Sequence, residues 1–221
     1  MDLPATFYPG TWYGAMLVVS ALGLYASLRR APWRSLTEST RLNLLLGFAV
    51  ALTLMWSMKA GVQPGLSLHL LGAMAATLVL GPWLAVVCMG MALLGVLLNG
   101  GIALADWPVN FVFMVLVPVA VASGIQRLIE RILPAHFFIF VFVVSFAGAA
   151  LTVMVQGAVA AASLALTESY SVEFLLNEYL PFFLLLGFSE GWISGAVITL
   201  MVVYRPEWVA AFDDRRYLLD K

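Results

Sequence analysis

The sequence predicts an all-α integral membrane protein, a bundle of seven transmembrane helices with the N-terminus outside and the C-terminus in the cytoplasm. Three observations carry that reading. Of 221 residues, 63% are hydrophobic and 10% charged, where a soluble domain has roughly 45–50% and 25%. The apolar residues gather into seven runs near the ~20 residues that cross a hydrocarbon core. Lysine and arginine fall almost wholly on one side of those runs. With a mean hydropathy of +1.00 there is too little polar surface to cover a water-soluble body. A soluble enzyme, a disordered tail and a nucleic-acid binder are thereby excluded. The net charge of −1 gives no reason to seek a strongly charged partner, and the single Cys88 excludes an intramolecular disulfide or a cysteine-based metal cluster.

In chain order the expected spans are 11–28, 42–58, 65–81, 83–99, 108–126, 136–164 and 180–204. The first does not read as a removable signal peptide, because no basic residue precedes it and Arg29 and Arg30 follow it. Between the second and third lies the short loop with Lys59. Only Gly81-Pro82-Trp83 separates the third from the fourth, which predicts a tight antiparallel hairpin. Arg127 and Arg131 follow the fifth, and His136 opens the sixth beside Pro134, where an interfacial histidine needs no special role. Residues 1–204 are read as the transmembrane domain and 205–221 as a polar cytoplasmic tail.

Orientation follows from the positive-inside rule. With the N-terminus outside, Arg29, Arg30, Arg34, Arg41, Arg127, Arg131, Arg205, Arg215, Arg216 and Lys221 all lie inside, and only Lys59 lies outside. The outer loops then carry Asp2, Asp106, Glu168, Glu173 and Glu178 against that one lysine. Such a face mildly concentrates cations. A bacterial inner membrane is the expected location.

Ionisable groups inside spans are costly and commonly functional. His69 and Glu190 qualify. His69, in the third span, is expected roughly 6–10 Å below the outer surface at ~1.5 Å per residue. The residues before the first span are long enough to reach it. A terminal amine, deprotonated backbone amides and one imidazole make a nitrogen-rich site suited to Ni, Cu or Co. A histidine hydrogen-bonded between helices is the alternative. Glu190 sits beside Gly187, Gly191 and Gly195, a stripe of small residues that permits close helix approach. It is expected to point into the bundle, where it binds a cation, carries a proton, or donates a structural hydrogen bond while protonated. Gly187-Phe-Ser189-Glu-Gly191 also satisfies G-x-S-x-G, which leaves an intramembrane hydrolase with Ser189 and His69 as a remote alternative. No lysine lies within a span, and no G-x-x-x-x-G-K-[ST] string occurs, so any ATP-driven step belongs to another subunit.

Two blocks resemble one family. Ser67-Leu-His69-Leu-Leu-Gly72 with Leu80-Gly81-Pro82-Trp83, and Glu190-Gly-Trp-Ile-Ser-Gly195 with Tyr204-Arg205-Pro206-Glu207, are similar to signatures of the CbiM/NikM type. Gly100-Gly101 to Asn110 resembles a third, more loosely. Members of that type are the substrate-capture membrane components of energy-coupling-factor cobalt and nickel importers. The resemblance implies a divalent transition metal as substrate, cobalt- or nickel-like, and partnership with a transmembrane coupling subunit and ATPase subunits. It also implies a ligand set closed by the N-terminus: the terminal amine, the nitrogens of a histidine at the second position, and a later histidine. Met1 matches the terminal residue and His69 the later histidine, while Asp2 stands where the family has histidine. Met1, Asp2 and His69 are thus the expected metal ligands, Asp2 offering a harder oxygen in place of an imidazole. Ser67, Asn110 and Glu190 are the polar residues expected around the site or within the bundle. A stand-alone metal-binding or sensing protein with the same fold is the alternative to an importer.

Overall fold

In lipid every backbone polar group must be satisfied within the segment, so long apolar runs become helices. The structure, a computed structural model, describes residues 2–63 and 66–219. Its elements are α1 (Gly10–Arg30), α2 (Ser39–Ser57), β1 (Ala60–Gln63), β2 (Leu66–Leu68), α3 (Ala73–Leu80), α4 (Pro82–Leu98), α5 (Leu104–Ile132), α6 (Ile139–Leu166) and α7 (Val172–Tyr204). By length and composition, α1, α2, α5, α6 and α7 can each cross a membrane, and α4 is a shorter apolar helix. Large apolar side chains such as Leu22, Val50, Leu54 and Phe188 face outward, whereas His69, Asn110, Gln156 and Glu190 are buried. That inversion of the soluble pattern suits a lipid surround.

One element departs from expectation. The third span, 65–81, is not a continuous helix: an antiparallel hairpin of β1 and β2 leads into an irregular turn, and only Ala73–Leu80 is helical. Eight residues rise about 12 Å, far short of a ~30 Å hydrocarbon core. The reason is legible afterwards. Leu66, Leu68 and Leu70 alternate with Ser67 and His69, a period of two that belongs to a strand. Gly72 then takes a left-handed φ of 71° to start the helix.

All eight residues of α3 are buried, with α2, α4, α5, α6 and α7 packed around them. The helix stops at Gly81, whose φ of 78° turns the chain directly into α4 at Pro82, the hairpin the sequence predicts. Its last carbonyls, which have no partner within the helix, are met from the far end of the chain. Ala211 N–H donates to Leu78 O at 3.0 Å and Ala210 N–H to Val79 O at 3.2 Å. Beyond them Phe212 and Tyr217 are buried and stack at 5.0 Å between ring centroids, so residues 209–217 pack against the bundle. The glycine stripe of α7 is an internal seam. A methyl at Gly187 would press on Ala150 and Met154, at Gly191 on Phe146 O, and at Gly195 on the Phe146 ring. On α6, Gly157 is covered by Phe183 and Ala161 is buried, whereas Ala158 and Ala162 are exposed.

Candidate metal site

At one end of the bundle the N-terminal segment lies across the β-hairpin and the start of α5. Four side chains fasten its backbone, and a fifth holds the Tyr8 hydroxyl. Ser67 Oγ accepts from Asp2 N–H at 3.2 Å. Asn110 grips Leu3 on both backbone groups, its Oδ1 accepting from Leu3 N–H at 2.8 Å and its Nδ2 donating to Leu3 O at 3.1 Å. Asp106 Oδ1 accepts from Ala5 N–H at 2.7 Å, and Ser169 Oγ donates to Phe7 O at 2.7 Å. Tyr8 OH pairs with Ser163 Oγ at 2.8 Å. Leu3 is fully buried beneath this strap. Pro4 and Pro9 reduce the entropy lost in ordering it.

His69 lies under the strap, in the turn between β2 and α3, with its side chain fully enclosed. Its Nδ1 is 2.9 Å from Leu70 O. A carbonyl only accepts, so Nδ1 carries the proton and Nε2 keeps its lone pair. Nε2 has no hydrogen-bond partner among the described residues. Across from it, at 4.0 Å, stands Asp2 Oδ1. Two donors on opposite sides of one first-row ion, each bonded at about 2.0–2.2 Å, are separated by about that distance.

The other Asp2 oxygen is already engaged. Lys59 Nζ donates to Oδ2, as does Ser67 Oγ at 3.0 Å. Burial alone would raise the Asp2 carboxyl, but the positive chain terminus and the Lys59 ammonium outweigh it and hold the group below its ordinary range. Asp2 is therefore ionised at neutral pH, with Oδ2 tied down and Oδ1 turned towards the imidazole.

The turn that carries His69 is clamped from two sides. Trp56 Nε1 donates to Leu71 O at 3.2 Å. Leu71 N–H donates to Glu190 Oε2 at 2.7 Å and Gly72 N–H to Glu190 Oε1 at 2.6 Å, while Ser194 Oγ donates to Oε1 at 3.1 Å. Glu190 makes structural hydrogen bonds, but as an acceptor and not as the donor expected from sequence: both oxygens accept, and the carboxyl fixes the turn two residues beyond His69.

Met1 lies outside the described residues. The structure brings Asp2, His69 and Ser67 together, sets Asn110 one residue further along the strap, and puts Glu190 behind the His69 turn. Sequence reasoning gave Lys59 only a place on the outer face. Its standing as the one basic residue among acidic outer loops could have flagged the ion pair. Among the described residues no three His, Cys, Asp or Glu side chains form a cluster. A complete coordination sphere would draw on backbone or terminal nitrogens. Ser189 is exposed and bonds to Leu185 O of its own helix at 3.2 Å. The hydrolase reading fails, because G-x-S-x-G lies inside the continuous α7 with no strand–turn–helix elbow. His136 is half-buried at the opposite end, its Nδ1 accepting from Phe138 N–H at 3.1 Å.

Comparison with known proteins agrees with this fold. Residues 2–208 match the CbiM family model, described as a cobalt uptake substrate-specific transmembrane region. Two crystal structures share the fold. One, of a truncated transition metal transporter, aligns with a TM-score of 0.80 at 17% identity, covering 92% of this chain and 99% of that one. The other, of a transition metal transporter, gives 0.78 at 17% identity over 91% and 92%. No curated protein matches the sequence significantly. The chain is a transport protein rather than an enzyme, and it belongs to the CbiM family of cobalt-uptake transmembrane proteins.

Proposed function

We propose that the chain captures a divalent transition-metal ion from the outer side of a bacterial inner membrane, as the substrate-binding membrane component of an energy-coupling-factor importer. The observation that carries this is the enclosed Nε2 of His69, without a hydrogen-bond partner among the described residues, facing Asp2 Oδ1 at 4.0 Å beneath the N-terminal strap. Met1, Asp2 and His69 hold the ion, with the terminal amine and backbone nitrogen supplying the donors that side chains do not. Cobalt or nickel is the cargo, because nitrogen donors favour the later first-row ions over magnesium and calcium. Bending the strap over the ion would replace its hydration shell with these ligands. The chain carries no nucleotide-binding string, so the driving force comes from separate ATPase subunits through a transmembrane coupling subunit. Residues 205–221 lie on the cytoplasmic side in this orientation.

A residue added before Met1 tests the proposal. It converts the terminal amine to an amide and pushes bulk into the closed strap. Metal-dependent thermal stabilisation of the purified protein is expected to vanish both in that variant and in His69→Ala. Stabilisation that survives either change would contradict the site.

A further inference from the structure

The positive-inside rule leaves one basic residue on the strap side of the bundle in the proposed orientation, and it sits against the site. Lys59 Nζ bridges Asp2 Oδ2 and the carbonyl of Gly101, the latter at 2.8 Å. Ser67 Oγ takes the same Asp2 oxygen at 3.0 Å, leaving Oδ1 as the oxygen that faces His69. Asp106, which shares the adjoining cavity with Asp2 and Lys59, has both oxygens committed to backbone N–H groups, of Ala5 at 2.7 Å and Ala103 at 3.2 Å. Among the described residues, Asp2 is thus the carboxylate left to meet an ion, and half of it is occupied.

Resting on the reading that Asp2 and His69 hold the ion, we propose that Lys59 is the specificity-determining residue of this site. Together with Ser67 it occupies Asp2 Oδ2, which limits the carboxylate to one oxygen, and its ammonium cancels the charge. Calcium and manganese depend on carboxylate oxygens, often both of one group, and their affinity rises with the ligand charge count. Cobalt and nickel draw more of their affinity from nitrogen donors, which Lys59 does not touch. A neutralised, one-oxygen Asp2 therefore discriminates against hard cations while leaving the imidazole side of the site intact. The same bridge ties the N-terminal segment, the start of the hairpin and the Gly100-Gly101 turn together, a purely structural role that would affect all ions alike. The ratio between ions separates the two.

The experiment uses the full chain with its native N-terminus in nanodiscs, titrated separately with Co²⁺, Ni²⁺, Mn²⁺ and Ca²⁺. Lys59→Met is expected to raise Mn²⁺ and Ca²⁺ affinity relative to Co²⁺ and Ni²⁺ by roughly tenfold, the order expected for restoring one ligand charge. Lys59→Arg, which keeps the charge, should hold the wild-type ratio. In an Asp2→Asn background, Lys59→Met should leave the ratio unchanged. If Lys59→Met does not fold, Lys59→Gln, which still donates to Gly101 O without a charge, decides the matter by the same ratio. An equal shift for all four ions, or a ratio change that persists without the Asp2 carboxylate, overturns the assignment of Lys59. Wild-type binding that His69→Ala does not alter overturns the capture site itself, a separate result.

Discussion

Glu190 accepts a backbone N–H at each carboxylate oxygen, and that sets what its substitution does. Glutamine keeps one acceptor but turns an NH₂ donor towards the other N–H, leaving a buried donor unmatched at a cost of about 1–3 kcal/mol. Leucine leaves both Leu71 and Gly72 unmatched. Stability in thermal unfolding should fall in the order Glu190, Glu190→Gln, Glu190→Leu, and metal affinity should fall in parallel because His69 sits two residues before the clamp. A glutamine variant as stable as the wild type would mean that the two N–H groups find other partners. At this scale much was readable from sequence. His69 and Glu190 stood out as the ionisable groups within apolar runs. That Glu190 acts by holding the His69 turn was not readable, because the two are separated by 118 residues between Gly72 and Glu190, and no spacing rule joins them.

The N-terminal strap and the β-hairpin are the elements that make a site out of these residues. Asn110 holds Leu3 through one donor and one acceptor, so Asn110→Asp replaces the donor with a second acceptor facing Leu3 O and Asp106 O. The strap should then loosen at its centre. Hydrogen exchange is expected to show faster exchange at Leu3 and Ala5 amides in this variant, with α6 and α7 unaffected. Unchanged exchange at Leu3 would show that the Asn110 grip is dispensable. The helices of the bundle were legible because apolar runs near 20 residues have few alternatives in lipid. The third span was misread for a physical reason: an apolar count does not distinguish a helix from a strand entering a turn. The alternation of Leu66, Leu68 and Leu70 with polar partners carried the answer. The strap itself, short and rich in proline, left no periodic trace.

For the molecule as a whole, the buried α3 joins the site to the opposite end of the bundle. His69 and the Glu190 clamp adjoin its first turn, and the backbone of Ala210 and Ala211 caps its last carbonyls. The proposed orientation rests on the distribution of eleven basic residues. A reporter fused after Lys221 is expected in the cytoplasm, and a cysteine label at the exposed Ser171 should be reached from outside. Both positions reporting one compartment would contradict the span parity. The central claim, that one imidazole under the strap binds the captured ion, is tested most directly by X-ray absorption at the cobalt or nickel edge of the loaded protein. Because the chain has two histidines, His69 and His136, the spectrum is decisive. Nitrogen and oxygen neighbours at about 2.0–2.2 Å, with scattering from a single imidazole that disappears in His69→Ala and persists in His136→Ala, is the expected result. A sulfur shell, two imidazoles, or a spectrum unchanged by His69→Ala would contradict the account.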